Sequence, residues 1–402
     1  MNWGALYHGF MSTPEFEIER IPLTVRYQET TGAREVYGYQ GATGFVILEG
    51  NLLRPRGHAS DTVTVFMHPT TSLLHLPMPN ALVQAGVHVL CCDSRYPRND
   101  APLIMEKVAV DLGAWIRYAR ETLHYKKVVL CGWSGGGSLS LFYQAEAENP
   151  TITHTPAGDP ADLKAAKLPP ADAMMVIAAH WSRAHTLSEW IDPSVTDELN
   201  PDRRETELDL YDPRNPNQPP YSADYVKRFR AAQLARQRRI TGWVKERLAD
   251  IKAGKVTENE RAFVVHRTMA DPRWLDTTLE PSDRKANWCF IGEPKVANTS
   301  AIGLGRFNTL RGWLSQWSED SRADGPKSAA RIAVPYMLIE NSADDACAPS
   351  HATALFESNR YPGKEKHVIK GATHYYLNQP EKLAEAAAIC TDWLKRKGFL
   401  SA

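Results

Sequence analysis

Apolar positions in the first half of the chain follow two alternating rhythms. Runs at 62–67 (TVTVFM), 86–92 (GVHVLCC), 127–131 (KVVLC) and 173–179 (AMMVIAA) are of strand length and largely apolar throughout. Strands buried on both faces read this way. Helical spacing takes over between them. Residues 76–85 suit a short crossover helix, and Ile104, Val108, Leu112, Ile116 and Ala119 recur at three- to four-residue intervals. That recurrence predicts a helix over 102–123, with Asn99 and Asp100 as its caps. A glycine-rich turn at 132–137 leads to a further helix expected over 138–147.

The rhythm stops near Trp181 and returns near Arg331. In between, proline, charge and tryptophan are frequent, 201–220 reads as polar loop, and 222–251 reads as one long amphipathic helix. Strands then resume at 334–340 (VPYMLIE) and 366–369, with helices expected near 350–358 and over 380–397. Alternating strands and helices of this kind predict an α/β fold, a mostly parallel central sheet flanked by helices. The sheet domain would be discontinuous, built from 1–180 and 331–402, with a large, mainly helical cap inserted at 181–330.

Charge narrows the partners. Lysine plus arginine equals aspartate plus glutamate at 47 each, so there is no basic excess of the kind polyanion binding requires, and no nucleic-acid partner is expected. Apolar runs are far shorter than the roughly 20 residues a membrane span needs. The opening residues 1–10 lack the pattern of a secretory signal. Of the six cysteines, Cys91, Cys92 and Cys131 fall in or at the end of strand-like runs, which suits buried thiols. No CxxC pair or HExxH helix occurs, so neither metal nor cofactor is expected, and a reduced, cytoplasmic setting is.

Candidate chemistry centres on Gly132-Trp133-Ser134-Gly135-Gly136, a G-x-S-x-G between a strand and a helix. A sharp turn there lifts the serine Oγ clear of the sheet and aims helix N-terminal N–H groups beside it. The five residues alone would also fit a glycine-rich turn with an incidental serine; the flanking strand and helix favour the nucleophile. Serine needs a base oriented by a third group. Asp344 and Asp345 follow the strand at 334–340, and His374 follows the one at 366–369. Serine, acid and histidine in this order, each after a strand, fit a hydrolytic triad, with Asp344 the first choice and Asp345 the fallback. After the strand at 62–67 comes His68-Pro69-Thr70-Thr71. This loop should supply a second oxyanion N–H beside that of Gly135, and Thr70 is the candidate because Pro69 has none.

These motifs resemble the α/β-hydrolase superfamily, in particular members with a cap after strand six, over about 60–180 and 330–400. The resemblance implies Ser134 as nucleophile, His374 as general base, Asp344 as its orienting acid, and Gly135 and Thr70 as oxyanion donors. One departure is His68-Pro69 where many relatives have His-Gly. His68, Trp133 and His180 are candidates for the substrate pocket, although local packing or backbone hydrogen bonds would account for each. The arginines of the long helix read as a solvated face. The tryptophans of the insertion suit an apolar cap underside or a small core of its own. The expected activity is cleavage of a carboxylic ester, lactone or thioester through an acyl-enzyme on Ser134, with a medium-sized small-molecule substrate under the cap. Cleavage of an amide or C–C bond by the same residues, or a catalytically silent ligand-binding protein, are the alternatives.

Overall fold

The computed structural model describes residues 16–29 and 44–401. The segment 1–10, on which the expectation of no secretory signal rests, lies outside the described residues. The strands are β1 (Ile18–Gln28), β2 (Phe45–Pro55), β3 (Thr62–Met67), β4 (Val89–Cys92), β5 (Lys127–Ser134), β6 (Ala173–Ala179), β7 (Ala262–Val264), β8 (Phe307–Thr309), β9 (Tyr336–Asn341) and β10 (Glu365–Ile369). Eight of them form one sheet in the order β1-β2-β4-β3-β5-β6-β9-β10, while β7 and β8 pair separately. From β4 to β10 every pairing is parallel; β2 runs antiparallel to both β1 and β4. The sheet is the α/β architecture that the alternating rhythms predict. The antiparallel β1–β2 pair was not among the expected elements.

The main helices are α1 (Pro77–Gln84), α2 (Met105–Glu121), α3 (Gly135–Glu148), α4 (Arg183–Trp190), α5 (Ala223–Lys252), α6 (Leu310–Gln316), α7 (Pro349–Ser358) and α8 (Pro380–Arg396). They cover both faces, and the two-residue period of the strands decides which face each side chain joins. Val128 and Leu130 of β5 pack with α2 and α3, through Leu112, Trp115 and Phe142. Val129, Cys131 and Trp133 point the other way, toward α1 and α8, through Leu82, Cys390 and Trp393. All six cysteines are buried free thiols.

Two local expectations need correction. Helix α2 starts at Met105, and neither Asn99 nor Asp100 caps it. Asp100 pairs instead with Arg183 at 2.7 Å, and the Met105 N–H donates to Ser315 Oγ at 2.8 Å, a cap supplied by α6. The long helix α5 does start from a Ser222 cap, whose Oγ accepts the Tyr225 N–H. Its arginines are a solvated face only in part: Arg228, Arg238 and Arg239 are exposed, while Arg236 is buried. Arg236 is 1% exposed, grips Glu198 and donates to the carbonyls of Asp192 and His266. Arg230 pairs with Asp271, Arg228 with Glu205 and Glu207, and Arg238 with Glu319. Acids outside α5 neutralise it, which helical periodicity cannot reveal.

Residues between β6 and β9 give the large sheet no strand. They bury apolar clusters of their own, one joining Ile240, Val244 and Leu248 of α5 to Trp313 and Trp317, another built on Trp190 and Trp274. Among the described residues, no helix is long and apolar enough to cross a membrane.

Candidate active site

Strand β5 passes into α3 through Ser134, whose backbone has φ 53° and ψ −127°. A non-glycine residue in that region costs about 1–3 kcal/mol and persists only where its surroundings hold it. The holding groups are visible. The His180 N–H, just past β6, donates to the Ser134 carbonyl at 3.2 Å. The glycines after the serine let α3 press onto its neighbours: a Cβ on Gly136 would run into the Met67 carbonyl, and one on Gly137 into Ala179. Gly135 opens α3, so its N–H belongs to the first turn, which has no intrahelical acceptors.

The three residues read from the sequence as serine, base and acid meet in space. Ser134 Oγ lies 3.1 Å from His374 Nε2, and His374 Nδ1 lies 2.9 Å from Asp344 Oδ2. With the carboxylate accepting at Nδ1, Nε2 is left to accept from the serine hydroxyl. The other oxygen of Asp344 accepts the N–H groups of Ala346 and Cys347 at 2.7 and 2.8 Å, so the carboxylate is anchored on both sides. Asp345 takes no part in this hydrogen-bonded series. Its carbonyl accepts from Trp274 Nε1 at 2.8 Å, and burial together with the charge of Asp344 pushes its carboxyl up to about 6.

The early loop differs from expectation. The Thr70 N–H donates at 3.2 Å to Nδ1 of His68, joined there by the Thr71 N–H at 3.1 Å. The expected second oxyanion donor is therefore committed to a ring within its own loop. Trp133 packs against His374, their ring centroids 4.5 Å apart. His180 is buried, 3.3 Å from Thr186 Oγ1 through Nδ1, with its ring 6.4 Å from that of His374. Burial, then the neighbouring His351, His374, His68 and Arg183, hold its pKa well below the ordinary histidine value.

Other residues in this neighbourhood carry no sequence signal that marks them. Phe290 brings its ring within 6.3 Å of the His374 ring and 5.6 Å of Trp190. Arg183 opens α4, is 6% exposed and stacks its guanidinium over Trp317. Ser134 is 8% exposed and His374 only 1%. Asp344, Cys347 and His374 offer ligand atoms within 4.8 Å of one another, a spacing that suits a metal ion. Yet Asp344 and His374 are bonded to each other, and the Cys347 thiol, pushed well up by burial, donates to the Ala178 carbonyl at 3.1 Å. A recess of about 710 Å³ lies elsewhere, among Arg204, Asp209, Tyr211, Arg267 and Lys295. It includes none of the Ser134 chain, so volume does not mark the site.

No protein-family model matches the sequence, and no curated protein does. Among solved structures, the chain is similar to the α/β hydrolase GrgF from Penicillium sp. sh18, at 13% identity over 94% of this chain and 98% of that one, with a TM-score of 0.51. This chain has the α/β-hydrolase fold. It is also similar to DcsB, solved with a substrate analogue, at 12% identity over 94% of this chain and 99% of the other, TM-score 0.50. Within the α/β-hydrolase fold of this chain, Ser134, Asp344 and His374 lie at or beyond the C-terminal ends of β5, β9 and β10. Open parallel sheets bind ligands at that edge.

Proposed function

We propose that the chain is a serine hydrolase that cleaves a small carboxylic ester, lactone or thioester. The observation that carries this reading is the unbroken hydrogen-bonded series from Asp344 through His374 to Ser134, on a strained strand-to-helix turn. His374 Nε2 takes the hydroxyl proton as Ser134 Oγ attacks the carbonyl carbon. The resulting tetrahedral intermediate carries its negative oxygen toward the Gly135 N–H. On collapse, the bond to the leaving oxygen or sulfur breaks, and His374 returns its proton to that atom. Water, deprotonated in turn by His374, attacks the acyl-serine, and the acid is released as Ser134 regains its proton.

The segment 181–330 acts in this reading as a cap. Support comes from the low exposure of Ser134 and His374 and from Phe290 beside the His374 ring. Such a cover favours a small-molecule substrate with an apolar portion.

Intact-mass analysis after treatment with a fluorophosphonate, alongside turnover of p-nitrophenyl esters of increasing chain length, tests the proposal. One adduct at Ser134 with ester turnover is expected, and Ser134→Ala or His374→Ala should lower turnover on the order of 10⁴–10⁶-fold. Near-normal turnover in Ser134→Ala would refute the mechanism. Labelling without ester turnover would point to an amide or C–C bond, and no labelling to a ligand-binding protein.

A further inference from the structure

The loop after β3 fixes an imidazole in a single form. His68 Nδ1 accepts two backbone N–H groups, from Thr70 and Thr71. A ring nitrogen that accepts carries no proton, so in the neutral ring the proton sits on Nε2. The ring is neutral at physiological pH: burial first, then the nearby charges of Arg183 and His374, lower its pKa to about 3. The loop itself is held, with Ser94 Oγ donating to the Pro69 carbonyl at 2.5 Å and the Arg98 N–H to the Thr70 carbonyl at 2.7 Å.

The opposite edge of the ring faces the elbow. His68 Nε2 lies so close to Gly135 that a Cβ there would stand 2.6 Å from it. Glycine at 135 therefore leaves room for this nitrogen beside the residue that follows the nucleophile. Among the described residues, no side chain or carbonyl accepts from Nε2.

We propose that His68 is the second oxyanion donor, giving its Nε2–H to the negative oxygen of the tetrahedral intermediate opposite the Gly135 amide. The inference rests on Ser134 being the nucleophile. A neutral imidazole of fixed tautomer polarises an oxygen without surrendering its proton, and Thr70 N–H acts one step back, by holding that tautomer. The side chain thus replaces the loop amide that the sequence suggests.

Kinetics of His68→Ala on a p-nitrophenyl ester test this, with affinity for a trifluoromethyl ketone measured in parallel. The ketone forms a hemiketal with the serine and so reports the oxyanion site directly. Removing one such donor lowers kcat by about 10²–10³-fold. That loss is expected with KM changed less than about threefold, and with the ketone weakened by a similar factor. His68→Gln, which retains an N–H donor, should recover part of both. Slow but stoichiometric fluorophosphonate labelling of Ser134 in His68→Ala would show that nucleophile and base survive. A kcat within about threefold of the unaltered chain, or unchanged ketone affinity, would overturn the proposal. Nitrogen-15 NMR of the unaltered protein needs no variant: an Nε2–H neutral ring whose proton moves downfield in the ketone adduct is expected. A cationic or Nδ1–H ring would overturn it. If the unaltered chain takes no label at all, the nucleophile reading fails first and this inference falls with it.

Discussion

At the scale of single residues, neighbouring aspartates meet different fates because of where their backbone turns. Asp344 faces His374 and receives two further N–H donors, whereas Asp345 is half-buried and offers its carbonyl to Trp274. Asp344→Asn should therefore lower ester turnover by about 10⁴-fold, the cost of a base with the wrong tautomer. Asp345→Asn should cost about tenfold or less, because the His374 ring bonds Asp344 and not Asp345. Side-by-side kcat/KM values for the two variants check this, and the reverse ranking would move the acid by one position. Serine, acid and histidine were readable because each follows a strand that periodicity reveals. Thr70 was not, since the direction of a loop amide depends on dihedrals that no residue type dictates in HPTT. The tautomer of His68 was hidden for the same reason: only its partners define it.

Whole elements were legible where burial is complete. Strands β3 to β6 are apolar on both faces, and α5 runs for 30 residues from a serine cap. Strand β1 escaped although Ile21, Leu23, Val25 and Tyr27 alternate as a half-covered strand should. It lies at the edge of the sheet with only Val25 fully buried, so its signal is weaker than that of the central strands. The start of α2 is not legible in the local sequence because its acceptor arrives from α6, 210 residues away, in Ser315. The same hydroxyl donates to Glu106 Oε2 at 2.9 Å, while Oε1 has no partner, and burial raises the Glu106 carboxyl to about 7. Folded chain thus holds this proton more tightly than unfolded chain does. Stability contributed here is complete below about pH 4.5 and is lost as pH rises to about 7. Glu106→Gln should flatten that dependence and stabilise the protein at pH 8 by about 2–3 kcal/mol, at about 1.4 kcal/mol per pKa unit. Urea unfolding at pH 5 and pH 8 provides the measurement, and an equal loss at both pH values would contradict it.

On the scale of the molecule, the segment between β6 and β9 is bound to the sheet domain by buried polar contacts on several sides. Arg183 reaches Asp100, Gln316 reaches the Asp100 carbonyl, and Trp274 reaches Asp345. Glu189 of α4 joins Arg273 at 2.7 Å and His351 of α7 at 2.8 Å. Breaking a buried pair by removing one charge typically costs about 3–5 kcal/mol. Glu189→Gln keeps the shape and should lower unfolding free energy by about 3 kcal/mol in a denaturant melt; an unchanged midpoint would mean the link contributes nothing net. The hydrogen bond between Ser134 and His374 spans 240 residues of sequence. Ribosomes add about 5–20 residues per second, so the histidine is made roughly 10–50 s after the serine. Until then Ser134 lacks its hydrogen bond to His374, and from the completion of β6 to the arrival of β9, its neighbour in the sheet, the edge of β6 stays unpaired. A nascent chain cut short after β6 but before β10 therefore carries Ser134 without its histidine partner and an open sheet margin, a product for disposal rather than a weaker version of the folded protein.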